Sequence, residues 1–270
     1  MKKYILIILI LISSILINAQ NNTESDNTDD EKTNNIDFSM EYMNKAAFSG
    51  RNNMVNGGMY SPSVTLNLKS GFSVGITTYL MPEDTSKTKQ IELAIGYEHD
   101  FFDWWNLQAG CSIYRTTVTT KKKTQVQNDI GVSLANTFDF EWMFLQNSIY
   151  YYYGSVKGWD VTFLLGKDIA LDDMLGIEDL SISPTFTYEL GNHFAKFRQL
   201  KKDLLTTVKT PNKFQALDYE LSLPINYEYK SFSFDITPSY AFPVNLLPLE
   251  SNLGSNFFYL SAKITYTLGL

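Results

Sequence analysis

The C-terminal end of the chain restricts its fold more than any other segment. From residue 258 to residue 270 apolar and polar residues alternate, and the apolar ones are Phe258, Leu260, Ala262, Ile264, Tyr266, Leu268 and Leu270. Successive side chains of a β-strand point to opposite faces of the sheet, so a period of two makes one face apolar and the other polar. The segment is therefore predicted to be a β-strand that lies between an apolar and an aqueous environment.

The same period of two recurs along the chain. The clearest segments are 60–69 and 72–77, which a tight turn at Ser70 and Gly71 joins into a hairpin, together with 91–98 and 217–223. Similar segments lie near residues 38–48, 105–115, 130–138, 145–153, 159–165, 180–190 and 232–242. Most have about 9–11 residues, the length with which a tilted strand crosses a bilayer. The chain is predicted to be all-β, a closed antiparallel transmembrane β-barrel of about 12 strands.

The connections between these segments alternate in length. Short turns are predicted near residues 69–71, 99–104, 139–142 and 227–231, and longer loops at 49–58, 82–89, 119–127, 191–213 and 244–256. Transmembrane barrels have short periplasmic turns and longer outer loops, so the longer set is assigned to the outer side. Apolar residues at helical spacing predict a short amphipathic helix over 194–205.

Three prolines fall inside predicted strands. Pro62, Pro184 and Pro238 each remove a hydrogen bond from the strand ladder. A β-bulge tolerates such a residue, so a bulge is predicted at each of the three positions.

The N-terminus carries a targeting pattern. Lys2 and Lys3 precede an apolar run over 4–17, and the small Ala19 follows it, as in a cleavable secretory signal peptide. Residues 1–19 are predicted to be the signal peptide. Residues 20–35, polar and without an aromatic, are predicted to be a disordered periplasmic lead-in, and 36–270 the barrel.

Composition excludes several classes of protein. Cys111 is the single cysteine, so the chain has no intramolecular disulfide. A formal net charge of −7 argues against nucleic acid as a partner. The sequence has no motif for a cofactor, a metal site or a phosphate-binding glycine loop, and none of these is predicted.

Signal peptide, alternating strands of spanning length, aromatic-rich strand ends and an apolar-alternating last strand together resemble a Gram-negative outer-membrane β-barrel protein, small and porin-like. The resemblance covers the whole mature chain as an architecture. It implies the cell outer membrane as the location, contact with outer-membrane lipid and lipopolysaccharide, and folding by the barrel-assembly machinery, which reads the last strand. Many relatives end on Phe, whereas this chain ends on Leu270, a departure that concerns the assembly signal.

The alternation assigns most charged strand residues to the barrel interior. The acidic ones are Glu41, Glu92, Glu98, Asp160, Glu189, Asp218, Glu220 and Asp235, and the basic ones are Lys45, Lys69 and Lys263. An acidic lining favours cations, which predicts a porin-like channel for small solutes with cation preference. The alternative is that these charges are solvated, or paired across a closed lumen.

Lys263 is the interior residue for which the sequence makes the most specific prediction. The last strand must pair with its predecessor and with the first strand, and the approximate register places Asp235 and Glu41 beside this lysine. The three residues are predicted to form one inward charge cluster, more often structural than directly involved in transport.

The outer loops are basic and the opposite turns acidic. The basic residues predicted to lie at the outer rim are Lys121, Lys122, Lys123, Arg198, Lys201 and Lys202. Anionic lipid headgroups attract such residues. The alternative is that the loops are simply solvated.

Three other interpretations fit parts of the sequence. A lipid hydrolase needs a Ser/His pair near the outer rim, but His99 is predicted at the periplasmic end and His193 has no clear serine partner. The protein is therefore predicted not to be an enzyme. A non-conducting barrel could act as a structural or interaction anchor through its basic outer loops, including 191–213. A soluble periplasmic β-sandwich would also alternate, although it would not need strands of spanning length.

Overall fold

The computed structural model describes residues 33–45, 47–48, 51–52, 58–82, 86–120, 124–154, 157–171, 179–192, 214–245 and 256–270. The predicted signal peptide, residues 20–32 of the lead-in and the helix predicted over 194–205 lie outside this part of the chain. Within the described ranges, no helix has the length and apolar character needed to cross a membrane.

Twelve antiparallel strands form one closed barrel. In chain order they are β1 (Asn35–Met43), β2 (Met59–Asn67), β3 (Phe72–Pro82), β4 (Ser86–Phe102), β5 (Trp105–Thr120), β6 (Thr124–Asp139), β7 (Phe144–Tyr153), β8 (Gly158–Gly166), β9 (Leu180–Ile182 and Thr185–Gly191), β10 (Gln215–Ser222 and Ile225–Tyr229), β11 (Phe232–Pro243) and β12 (Phe257–Gly269). Each strand pairs with the next along the chain, and β12 also pairs with β1. The predicted fold class is confirmed, and the β-sandwich alternative is wrong.

Closure depends on the C-terminal strand. Tyr266 of β12 is aligned with Phe38 of β1 and with Phe232 of β11, and its ring centroid lies 6.5 Å and 5.1 Å from theirs. The backbone N–H of Leu270 donates to the carbonyl oxygen of Asn34 at 2.9 Å. Both edges of β12 are therefore hydrogen-bonded, which removes the free sheet edge that an apolar medium could not solvate.

The two faces of the barrel wall differ in the way expected of a membrane protein. Large apolar side chains stand exposed on the outward face, for example Leu93 and Ile95, which are 53% and 52% exposed. The buried polar side chains occupy inward positions: Ser61, Gln90, Ser112, Asp129, Asp160, Asp218 and Ser239. Apolar outside and polar inside is the reverse of a soluble protein and suits a wall with lipid outside.

Strands β4, β5 and β6 are longer than the sequence pattern indicates. They have 17, 16 and 16 residues, and the outer loops predicted at 82–89 and 119–127 are wrong, because most of these residues belong to paired strands. The extensions are rich in Thr, Gln and Lys. β-branched and polar residues pair well in a sheet, but above the membrane they have no reason to alternate with apolar ones.

The prolines do not produce bulges. Tyr60 aligns with Leu80 and Ser63 with Thr77, so the register is the same on both sides of Pro62. Strands β9 and β10 are interrupted near Pro184 and Pro224, again with the register kept across the gap. The β11–β12 register also continues unchanged through Pro238, which aligns with Leu260. The predicted bulges are wrong, because losing one or two ladder bonds is enough to fit a proline. The β9–β10 register does shift at Glu189 and Leu190, away from any proline.

Aromatic rings gather where the short turns join β4 to β5 and β6 to β7. Trp104 and Trp105 stack with centroids 6.4 Å apart, and Phe101 lies 4.5 Å from Trp105. Trp142 is 67% exposed in the next turn. Such rings are typical of the membrane–water interface. The short-turn end therefore lies at a membrane–water interface, the one that the alternation of loop lengths assigns to the periplasmic side.

Candidate functional site in the barrel lumen

Small side chains line the inner wall of β3 to β6 toward the short-turn end. This wall carries Ser73, Ala94, Gly96, Gly110, Ser133 and Ala135, and next to it lies a cavity of about 480 Å³. Glu98 and Gln108 border the same cavity with their longer polar side chains. Because small residues leave space beside the wall, this half of the lumen has room for water and small solutes.

Tyrosines and carboxylates cross the lumen farther toward the outer end. The Tyr79 hydroxyl donates to Glu92 Oε2 at 2.7 Å. The hydroxyls of Tyr114 and Tyr150 are hydrogen-bonded to each other, and the ring of Tyr150 lies 4.3 Å from that of Tyr152. These five residues form what is called here the tyrosine layer. Its rings extend from the wall into the lumen and are held in place by hydrogen bonds.

One glycine makes this arrangement possible. A Cβ atom at Gly131 would lie 2.2 Å from the Tyr150 hydroxyl and 2.6 Å from two carbon atoms of its ring. The missing side chain lets the Tyr150 ring lie against the wall of β6 and reach Tyr114 two strands away.

A second pair continues the pattern on the opposite wall. The Tyr259 hydroxyl donates to Glu220 Oε2 at 2.7 Å, and the Ser222 hydroxyl donates to Glu220 Oε1 at 2.8 Å. A carboxylate that accepts two hydrogen bonds keeps a fixed orientation toward the lumen. Glu92 and Glu220 thus hold negative charge at defined places on two sides of the passage.

The charge cluster predicted around Lys263 is present in register. Lys263 of β12 aligns with Glu41 of β1 on one side and with Asp235 of β11 on the other. Asp235 Oδ1 also accepts a hydrogen bond from Asn226 Nδ2 at 2.8 Å. Lys263 points inward yet is exposed. Open space therefore surrounds it inside the barrel, in contrast to a lumen packed solid with side chains.

Removing the lysine alone is predicted to destabilise the barrel more than removing the lysine and one acid together. Lys263→Met leaves the carboxylates of Glu41 and Asp235 without the cation between them, so that they repel each other. Adding Asp235→Asn removes one of the two negative charges and with it this repulsion. Because Lys263 is exposed, a coupling free energy of about 0.5–1 kcal/mol is expected. A double-mutant cycle on denaturant unfolding in detergent measures it. Strict additivity would contradict the interaction.

All nine lumen residues predicted from the sequence occupy inward positions. They are Glu41, Glu92, Glu98, Asp160, Glu189, Asp218, Glu220, Asp235 and Lys263. Their part in transport stays a prediction. The prediction that Lys69 is an inward strand residue is wrong, because Lys69 lies in the turn after β2. Lys45 lies just beyond β1, where its amine donates to the Phe258 carbonyl at 2.5 Å.

The other candidate residues fall elsewhere. The rim residues Lys121, Lys122, Lys123, Arg198, Lys201 and Lys202 lie outside the described residues, as does His193. His99 is on the outward face near the short-turn end, with its ring 4.7 Å from that of Phe101 and 6.2 Å from that of Tyr97. It therefore lies far from the outer rim, as predicted.

Sequence reasoning missed the tyrosine layer and the inward, buried Asp129. Alternation could have placed Tyr114, since it follows Ser112 on the same face of β5. Tyr150 and Tyr152 sit in a run of four tyrosines without any alternation. The pairing of β7 with β8 puts Tyr150 opposite Asp160, which identifies its face as inward.

Among solved structures, a porin shares the fold of this chain at low sequence identity. The chain matches a KdgM porin with a TM-score of 0.51 at 11% identity, over 86% of this chain and 98% of that one. It matches a NanC porin with a TM-score of 0.47 at 12% identity, over 86% and 100%. It matches LpxR from Salmonella typhimurium with a TM-score of 0.45 at 12% identity, over 85% and 99%.

No protein-family model and no curated protein sequence matches the chain. Identities this low show a common fold and leave function to be argued from the residues of this chain. The expected resemblance is confirmed at that level: the chain folds as an outer-membrane β-barrel, closed by twelve antiparallel strands.

Proposed function

We propose that the protein is an outer-membrane channel that passes small solutes with a preference for cations. The observation that carries the proposal is the charge of the inner wall. Among the inward strand residues that the structure describes, Lys263 is the one cation, and acids occupy many inward positions on most of the strands. Negative side chains around a water-filled path attract cations and repel anions.

The shape of the lumen supports a passage in two parts. The cavity beside the small-residue wall lies toward the short-turn end. The tyrosine layer, in which Tyr79 is hydrogen-bonded to Glu92 and Tyr114 to Tyr150, lies beyond it and is proposed to be the narrowest part. A solute that crosses the membrane would pass this carboxylate at close range. The proposed filter therefore combines a small opening with a fixed negative charge.

A non-conducting anchor is the second candidate, and the burial of the outer half of the lumen favours it. Met59, Met81 and Leu217 point inward there and are 3% or less exposed. If such side chains fill the full cross-section, the barrel holds its outer loops at the surface without passing solutes.

The third alternative, a lipid hydrolase, receives no support from His99, which faces outward near the short-turn end, away from the outer rim. We propose no enzymatic activity.

Conductance in a planar bilayer separates the channel from the anchor. The folded mature protein is expected to give stepwise conductance with a reversal potential of cation-selective sign in a KCl gradient. Tyr114→Ala with Tyr150→Ala removes two rings from the tyrosine layer, and conductance is expected to rise about three-fold because the narrowest part controls the current.

Tyr114→Phe is the matched control, since it keeps the ring and removes only the hydroxyl. It is expected to conduct much like the wild type. Absence of current from both the wild type and the double alanine variant, with insertion verified, would favour the anchor. Anion selectivity would contradict the charge argument while leaving a channel in place.

A further inference from the structure

The outward apolar band ends at a sharp boundary on three adjacent strands. Ile91 of β4, Ile113 of β5 and Ile130 of β6 are the apolar residues directly below this boundary, and among the described outward residues beyond it Val126 of β6 is the one that is apolar. The next outward residues on these strands, two positions farther toward the outer end, are Lys89, Arg115 and Asn128. Ile91, Arg115 and Asn128 are directly paired across the sheet. The hydrocarbon boundary therefore crosses this row, with polar groups immediately above it.

Lys89 and Arg115 form a compact positive surface at the boundary. Both are exposed and both lie on the outward face. Lys89 is aligned with Thr117, so Arg115 is its diagonal neighbour, at a Cα separation of about 7–8 Å that long side chains bridge. The acids nearby, Glu92 and Asp129, occupy alternate positions and point into the lumen.

A third cation and three aromatic rings extend this surface over β7 and β8. The Lys157 amine lies 4.6 Å from the centre of the Tyr153 ring, and Tyr151 packs against Trp159 with centroids 4.5 Å apart. Amphipathic rings of this kind lie at headgroup depth in membranes. Tyr153 is aligned with Ile130 of the neighbouring β6, so these rings lie close to the level of the row, which supports assigning that row to the level of the lipid headgroups.

The same boundary is aromatic on the other side of the barrel. Tyr42 of β1, Tyr60 of β2, Tyr240 of β11 and Phe258 of β12 are the exposed outward residues near the outer end there, and the rings of Tyr42 and Tyr60 lie 5.0 Å apart. Rings anchor a barrel in any bilayer. Exposed cations directly above an apolar band select a lipid with negative charge at that depth.

We infer that the outward surface of Lys89 and Arg115 binds a phosphorylated lipid of the outer leaflet. Its acyl chains lie along Ile91, Ile113 and Ile130, and its phosphate lies between the two cations. The guanidinium of Arg115 presents two parallel N–H groups that match two phosphate oxygens, and the Lys89 amine adds a point charge. This inference rests on the proposed outer-membrane location but not on conduction.

Binding of lipid A to the folded protein in detergent tests the inference. Native mass spectrometry of the full mature chain over a lipid A titration gives the affinity. Lys89→Gln and Arg115→Gln are each expected to weaken binding about five-fold and the double variant about 30-fold, since each basic residue near a charged lipid surface contributes roughly 1 kcal/mol. Dephosphorylated lipid A is expected to bind the wild type as weakly as lipid A binds the double variant.

Lys167→Gln with Lys230→Gln is the matched control, because it removes two exposed lysines from the short-turn end. Its lipid A affinity is expected to equal that of the wild type, and heat-modifiable gel mobility verifies that every variant is folded. Equal affinity of the wild type and the Lys89/Arg115 double variant would overturn the inference, as would equal binding of lipid A with and without its phosphates. A protein that conducts but shows either result loses the lipid site and keeps the proposed channel.

Discussion

Cys111 is expected to react at least about 100-fold more slowly with a charged, water-soluble maleimide than a cysteine placed at Gln108. Both positions are exposed residues of β5, but Cys111 faces outward and Gln108 lines the lumen cavity. In a bilayer the outward face meets hydrocarbon, and excluding a charged reagent from it by about 3 kcal/mol lowers the reaction rate about 100-fold. Labelling rates of the reconstituted wild type and of Gln108→Cys in a Cys111→Ala background measure the difference.

The control uses the same two proteins after unfolding in denaturant. Both cysteines should then react at similar rates, which shows that the difference comes from the folded barrel and the bilayer. Rapid labelling of Cys111 in the folded, reconstituted protein would mean that the outward face of β5 meets water. The transmembrane assignment of this wall would then be wrong, even though the strand pairing were correct.

Replacing Glu41, Glu92 and Glu220 together by glutamine is expected to lower the cation-to-anion permeability ratio about ten-fold, because clefts with charge of one sign concentrate counter-ions by about ten-fold or more. Glutamine is similar in shape and still accepts hydrogen bonds, so the bonds from Tyr79 to residue 92 and from Tyr259 to residue 220 are preserved. Reversal potentials in a KCl gradient measure the ratio.

The matched control removes three acids outside the lumen. Asp103→Asn, Glu141→Gln and Asp179→Asn change the net charge equally, and all three residues are exposed in turns. This variant is expected to keep most of the wild-type selectivity. If the two triple variants lose selectivity equally, then overall charge rather than the lumen determines the preference. If neither changes, the conducting path does not pass these carboxylates.

The sequence alone determined the class of fold, the face of most charged residues and the neighbours of Lys263. The reason is that a period of two leaves no freedom in a strand: once the apolar set faces lipid, every other residue faces inward. In an antiparallel meander each strand lies beside its neighbours in the chain, so the last strand joins the first by closure alone. Glu41 and Asp235 could therefore be placed beside Lys263 without coordinates.

The tertiary structure alone decided where strands end, how prolines are tolerated and what fills the lumen. The extensions of β4 to β6 stand above the membrane, where no lipid imposes alternation, so their sequence resembles a loop. The strands keep their register at the prolines because the hydrogen bonds on either side of each proline hold the two strands in place.

The tyrosine layer depends on which rings meet across two strands and on the space that Gly131 leaves for Tyr150. The placement of Arg115 beside Lys89 likewise depends on the register between β4 and β5. Contacts between strands depend on stagger and side-chain reach, which a local sequence pattern does not encode.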